Sequence, residues 1–381
     1  MPTVMNRGRL AARAVYLGGA VASALSCGGT DVVPPVPLDG DGAFVVGRVQ
    51  TTVSSAGRTV PVEVWYPAQA GDTSQRGWVE FGLDAAQRSL ITTWTDNATE
   101  TCARTEVIDN ARLDPADGAF PVVVMSHCHE CVRFGTARIA ERLASHGFVV
   151  AAPDHVGATA FEAAMDMSTG FTPATLEARV SDVQAVVDGL ATPGSLGDGA
   201  GDLLEAHVDV SRVGAIGHSF GAATVNASAQ ADGRVAAVMA LAGPIDPFGV
   251  AAPAALSVPL LSVRATEDNT IGEVGNGLIA SQFAAVGTEK WTLDVEDAGH
   301  YSFLDLCGAA PQFATGCGED QRQTDPSATF TYVGAARVRA LTATYAVGFF
   351  SLWLKDDPRG RELLDRDVDE AVIGPVFTPG T

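Results

Sequence analysis

The chain has 381 residues, 46% of them hydrophobic and 18% charged. That balance excludes a mainly disordered protein and supplies ample apolar material for a large core. Acids outnumber bases by 45 to 24, a net charge of −21, which argues against a binder of nucleic-acid phosphates because such a surface is basic.

The chain opens on Arg7, Arg9 and Arg13, followed by a short apolar run from Ala14 to Leu25. The run is too short to span a bilayer as a mature helix and reads as an export signal. A basic start, an apolar middle and small residues before Cys27 resemble a bacterial lipoprotein signal. Its lipobox would be Ala24 to Cys27, with cleavage before Cys27 and a lipid anchor on that thiol; an ordinary secretory signal cut nearby is the alternative. Residues 1–26 are therefore the expected signal peptide. Residues 27–42, rich in Gly and Pro, read as a flexible tether, and residues 43–381 as one domain. Loss of residues 1–26 removes three arginines and no acid, deepening the net charge to −24.

Export places the cysteines in an oxidising compartment. With Cys27 lipidated, Cys102, Cys128, Cys131, Cys307 and Cys317 remain. An odd count leaves one free thiol or an intermolecular bond. Cys307 and Cys317 flank a loop and form the natural pair. Cys128–Cys131 and a bond from either to Cys102 both stay open.

Phe44–Val53 and Thr59–Tyr66 predict a hairpin around Ser54-Ser55-Ala56-Gly57. One helical stretch follows near Asp84–Thr93. Phe120–Met125 is a continuous apolar run, expected of a strand covered on both faces. Thr136–His146 reads as an amphipathic helix stopped by Gly147, and Phe148–Ala152 as the next buried strand. Leu176–Leu190 is helical. Arg212–Ile216 predicts a strand, Phe220–Gln230 a helix, Val235–Leu241 and Leu260–Val263 strands, Leu278–Ala285 a helix, and Trp291–Val295 the last strand. Ala335–Leu354 is the closing helix. Alternating β and α segments with buried strands predict an α/β fold: a mostly parallel sheet with helices on both faces.

Gly217-His218-Ser219-Phe220-Gly221 joins strand Arg212–Ile216 directly to helix Phe220–Gln230. A nucleophile on such a sharp turn needs small residues two positions to either side, where a Cβ would clash with the neighbouring strand or helix. The turn projects Ser219 Oγ at the carboxyl edge of the sheet. It also aims the Phe220 N–H at a developing oxyanion.

With this motif the chain resembles the α/β-hydrolase superfamily. More narrowly, it resembles the platelet-activating-factor-acetylhydrolase-like and dienelactone-hydrolase-like serine esterases. The resemblance covers roughly residues 44–305. It rests on Pro121 to His127, Leu143 to His155, Val213 to Val225 and Asp297 to Phe303. It implies the α/β-hydrolase fold and triad members in the order Ser, acid, His. His300 stands where the general base belongs. Asp268, after strand Leu260–Val263, is the expected acid; Glu267 beside it reads as a solvated turn residue, and Asp246 is the reserve acid. The second oxyanion donor falls on the N–H of His129. Relatives carry glycines in that loop, so Cys128 is expected to hold a backbone angle that glycine adopts more easily.

His127-Cys128-His129-Glu130-Cys131 contains zinc-ligand residue types. Adjacent residues on one loop rarely converge on a tetrahedral centre, and no metal or other cofactor is expected. His218 is expected under the elbow, His146 at a helix C-terminus satisfying free carbonyls, and His155 in a structural role near the mouth. His207 belongs to the Asp-rich stretch 194–209, which reads as a solvated linker.

The function this predicts is ester hydrolysis through a Ser219 acyl-enzyme. The segment between Asp154 and Leu176 is about twenty residues, leaving no room for a large lid, so the resemblance implies short-acyl or otherwise accessible esters. Two alternatives compete. One is a cutinase-like polyester hydrolase, although Trp65, Trp78 and Trp94 lie outside the usual clamp position of those enzymes. The other is an inactive surface lipoprotein that kept the fold for binding.

Overall fold

A computed structural model describes residues 36–69, 74–98, 105–114, 118–192, 194–204, 207–369 and 371–380. The expected signal at residues 1–26 and Cys102 lie outside them.

In chain order the strands are β1 (Val45–Ser55), β2 (Arg58–Ala68), β3 (Ser74–Arg76), β4 (Thr105–Asp109), β5 (Phe120–Ser126), β6 (Val149–Pro153), β7 (Val208–His218), β8 (Val235–Leu241), β9 (Leu260–Ala265), β10 (Lys290–Val295), β11 (Glu319–Gln321), β12 (Thr329–Thr331) and β13 (Val372–Thr378). The helices are α1 (Ala85–Asn97), α2 (Ala137–Ser145), α3 (Ala160–Ala163), α4 (Pro173–Ala191), α5 (Ala200–Leu204), α6 (Phe220–Ala231), α7 (Gly272–Ala285), α8 (Ala335–Lys355) and α9 (Arg359–Leu364). Among the described residues, eleven strands form one sheet in the order β13-β10-β9-β8-β7-β5-β6-β2-β1-β4-β3. Its six central strands, β6 to β10 through β5 and β7, are parallel.

Every residue of β5 is buried, and side-chain alternation explains why the run reads as uniformly apolar. Val123 and Met125 join the core beneath α2 and α8, whereas Val122 and Val124 join the core beneath α4. Strand β8 divides in the same way, with Met239 and Leu241 on one face and Val238 and Ala240 on the other. Helices therefore cover both faces, as the α/β fold requires.

Local chemistry sets several boundaries. The hairpin turns at Ala56 and Gly57, both at positive φ, as a two-residue connection demands. Helix α4 starts three residues before the expected Leu176. Thr172 caps it by accepting from the Thr175 N–H, and Pro173 sits in its first turn, a combination that favours initiation.

Three expectations need correction. The body begins before residue 43: Asp41 pairs with Arg142, Asp39 lies 2.6 Å from Arg366, and the Gly42 N–H donates to Ser145 Oγ at 3.1 Å. Asp41 finds its cation on α2 and Asp39 finds its own just beyond α9, which composition alone does not reveal. Second, β10 is not the last strand. Antiparallel β13 borders it, with a bulge between Thr292 and Asp294 that accommodates Gly374-Pro375, and proline is tolerated on such an edge. Third, the Asp-rich stretch is partly packed, since Ala200 and Leu204 of α5 enter the core.

Candidate active site

Strand β7 runs straight into Ser219, whose φ of 56° and ψ of −115° lie in a region few non-glycine residues occupy. Its two glycines are sterically required. A Cβ on Gly217 would sit 2.0 Å from the Gly221 carbonyl oxygen, and one on Gly221 would sit 2.0 Å from the Ser126 oxygen. The neighbours that forbid side chains are thus the start of α6 and the end of β5. Ser219 itself is half-buried, at the carboxyl edge of the parallel strands.

His300 follows β10 and is buried. Its Nδ1 lies 2.7 Å from Asp268 Oδ2, so Nδ1–H donates to the carboxylate and Nε2 keeps a lone pair. The carboxylate's other oxygen accepts from the N–H groups of Thr270 and Ile271, each at 3.1 Å. The reserve acid, Asp246, is engaged elsewhere: its Oδ1 accepts from Val250 N–H at 2.8 Å and Ala251 N–H at 3.2 Å. Glu267 is not a solvated turn residue. It is buried and pairs with Arg322 at 2.8 Å, because the segment around β11 and β12 folds back over this turn.

That segment and the loop before it brace both residues. Gln323 Nε2 donates to the Asp268 carbonyl at 2.6 Å. The Cys307–Cys317 disulfide closes a loop whose Thr315 carbonyl accepts from Tyr301 N–H at 2.8 Å. Gly316 packs against Ser302, and its carbonyl accepts from Ser302 Oγ at 2.8 Å. None of this bracing is visible in motif order, since it comes from residues 315–323.

On the other side of Ser219, Cys128 and Cys131 are bonded to each other, which leaves neither for Cys102. The expected strain at Cys128 is absent; the residue at positive φ is Glu130, at 55°. Glu130 holds that conformation while its N–H donates to the Ala158 carbonyl at 2.9 Å. Among the described residues, the N–H groups of Phe220 and His129 have no hydrogen-bond partner. The two rings are 5.9 Å apart in an edge contact. His218 is buried as expected, and its Nε2 lies 2.8 Å from the His300 carbonyl. Burial, and next the nearby His300, push its pKa well below the ordinary value, so it stays neutral. His218 and the two cysteine sulfurs lie within 4.8 Å of one another. Sulfurs joined in a disulfide are not thiolate ligands, so this cluster is no zinc site as it stands.

Two features escaped sequence reasoning. Phe171 and Phe248 join Phe220 in an aromatic wall, with Phe171 ring centroids 4.4 Å from Phe220 and 4.7 Å from Phe248. The second is a set of buried polar residues behind the wall. His155 belongs to it: its Nδ1 lies 3.1 Å from Asp182 and its Nε2 2.9 Å from Ser126 Oγ. His146 caps α2 as expected, its backbone N–H donating to the Leu143 carbonyl at 3.0 Å, while its ring bonds the Gly40 carbonyl at 2.8 Å.

A parallel sheet that carries its serine on this elbow defines a class, the serine-type carboxylic ester hydrolases of the α/β-hydrolase fold. Residues 109–305 match the dienelactone hydrolase family, and the chain belongs to that family. Residues 35–170 also match platelet-activating factor acetylhydrolase, isoform II. A solved ferulic acid esterase from Streptomyces cinnamoneus superposes with a TM-score of 0.66 at 24% identity, covering 91% of this chain and 98% of that one. No curated protein matches.

Proposed function

We propose that Ser219 is the nucleophile of an ester hydrolase, with His300 as general base and Asp268 as its orienting acid. The observation that carries this reading is the 2.7 Å contact between His300 and Asp268, beside an elbow whose His218 ring lies 5.0 Å from the His300 ring and whose serine is held at φ 56°. His300 Nε2 takes the Ser219 proton as Oγ attacks the ester carbonyl. The tetrahedral oxyanion accepts hydrogen bonds from the N–H groups of Phe220 and His129. His300 then protonates the leaving alcohol, and water hydrolyses the acyl-enzyme with His300 again as base. Asp268 holds the imidazole tautomer and stabilises the imidazolium.

The acyl group in this reading is compact. Support comes from the segment between β6 and α4, which holds only the four-residue helix α3, and from Phe171 standing close beside Phe220 at the mouth. A second reading favours a flat aromatic acyl group, because the wall of Phe171, Phe220 and Phe248 offers ring faces and edges beside the elbow. The superposed ferulic acid esterase is compatible with it. Export and a lipid anchor on Cys27 complete the proposal; the two disulfides fit an oxidising compartment.

The test is hydrolysis of p-nitrophenyl acetate, butyrate, octanoate and dodecanoate, beside methyl hydroxycinnamates, by wild type and Ser219→Ala. We expect rates to peak at short or aromatic acyl groups and kcat to fall by about 10⁶ in the variant. A steep rise toward dodecanoate would sink the compact-acyl reading. Release of soluble acids from a polyester film would favour a polymer substrate. Activity retained by Ser219→Ala would remove Ser219 from its role.

A further inference from the structure

Behind the aromatic wall the chain assembles a second Ser–His–Asp arrangement, turned away from solvent. Ser126 ends β5, His155 follows β6 and Asp182 lies on α4; all three are buried. The distances give one consistent set of protons. Asp182 accepts from Nδ1–H of His155 at 3.1 Å, and His155 Nε2 accepts from the Ser126 hydroxyl at 2.9 Å. Arg58 donates to the other Asp182 oxygen at 2.6 Å. The His155 N–H donates to His127 Nε2 at 3.0 Å, which leaves His127 Nδ1–H to donate to the Cys128 carbonyl at 2.6 Å.

Arg179, one turn before Asp182 on α4, completes the cluster and is 1% exposed. Its Nη2 donates to Ser126 Oγ at 3.2 Å and to the His127 carbonyl. Its Nε donates to Thr224 Oγ1 at 3.0 Å, and its guanidinium lies 4.7 Å from the Phe220 ring centroid. One side chain thereby touches both segments that carry the proposed oxyanion donors: β5 leading to His129, and α6 beginning at Phe220. Burying such a charge is costly, and an apolar filling of the same volume often stabilises a fold as well or better.

Resting on the Ser219 reading above, we infer that Arg179, bonded to Ser126, which His155 and Asp182 hold in turn, is a positioning residue. It fixes the spacing of the Phe220 and His129 N–H groups. Ser126 is not a second nucleophile: it is 3% exposed, and its oxygen already accepts from Arg179. The physical warrant is that misplacing a catalytic donor by about 1 Å costs up to about 10² in rate. Two backbone segments from different elements need a rigid tie to avoid that loss.

The test uses the full chain with Ser126→Ala, Arg179→Lys and Arg179→Met, assayed on p-nitrophenyl acetate beside Ser219→Ala. Ser126→Ala should lower kcat about 10-fold with KM within about twofold. Arg179→Met should lower it about 100-fold, and Arg179→Lys should recover part of that loss. Affinity for a boronic-acid mimic of the tetrahedral state should weaken in step with kcat, which a merely structural role would not produce. Ser126→Ala decides the matter if Arg179→Met fails to fold. Unchanged kcat in Ser126→Ala and Arg179→Lys overturns the inference, as does fluorophosphonate labelling of Ser126. Activity surviving in Ser219→Ala overturns the nucleophile assignment instead, and this inference with it.

Discussion

His300 Nδ1 and Asp268 Oδ2 stand 2.7 Å apart although 32 residues separate them in sequence. The contact joins the loop after β10 to the turn after β9, strands that are parallel neighbours in the sheet. Replacing Asp268 by Asn keeps the shape and reverses the tautomer preference. Asp268→Asn is therefore expected to lower kcat by about 10³ to 10⁴. Asp246→Asn, whose carboxylate caps backbone N–H groups in a different loop, should leave kcat within about threefold. Steady-state assay of both variants checks the assignment, and the reverse pattern would transfer the role to Asp246.

The elbow glycines tolerate no side chain. A methyl on Gly221 would lie 2.0 Å from the Ser126 carbonyl oxygen, a backbone atom that cannot rotate away. Gly221→Ala should destabilise the fold by about 2–4 kcal/mol and remove most activity, because α6 and β5 must separate. Gly233→Ala, in open space beyond the helix, is the control. Urea denaturation of the two variants tests the difference.

The Cys307–Cys317 disulfide holds a loop against the His300 turn. Replacing both cysteines by Ala should cost about 2–3 kcal/mol by releasing loop entropy. Because Thr315 and Gly316 bond Tyr301 and Ser302, kcat should fall as well, by about 10-fold. Stability and kcat measured on the double variant decide whether the loop braces the site or only the fold.

Glu141 on α2 is half-buried, and its buried Oε1 has no hydrogen-bond partner among the described residues. Burial, against the partial pull of Arg138, pushes its pKa up to about 8. The folded state then keeps a proton that the unfolded chain loses near pH 4.3. Stability should decline as pH rises from about 4.3 toward 8, by on the order of 1–3 kcal/mol from this group. In Glu141→Gln that decline should flatten. Urea midpoints at pH 5 and pH 8 provide the check; parallel pH profiles in the two proteins would show the carboxyl ionised throughout.

Anchoring is tested in cells. Radiolabelled palmitate should appear on the wild-type chain and disappear with Cys27→Ala, which should also move the protein from the membrane to the soluble fraction. Label retained in Cys27→Ala, or absent from both proteins, would favour an ordinary secretory signal.

Much of this architecture was legible because it is written in local pattern. The buried strands β5 and β8 announce themselves by unbroken apolar runs. The elbow announces itself by glycines at fixed spacing between a strand and a helix, and His300 and Asp268 by their order after successive strands. What escaped was β13, disguised by Gly374-Pro375, and the wall made by Phe171 and Phe248. The cluster of Ser126, His155, Arg179 and Asp182 escaped as well. Each depends on partners that are remote in sequence and carry no spacing rule.

The amino-acid sequence by itself therefore determined the fold class, the sharp strand-to-helix turn at Ser219 and the chain order of the proposed triad, since periodicity and short-range sterics govern these. Only the tertiary structure decided that His300 meets Asp268 rather than Asp246, that Cys128 bonds Cys131, and that Arg179 bonds both the end of β5 and α6. Those choices are made by where the parallel strands and α4 bring chain segments into contact. A hydrogen bond or a disulfide depends on distance and direction in space, which sequence separation does not encode.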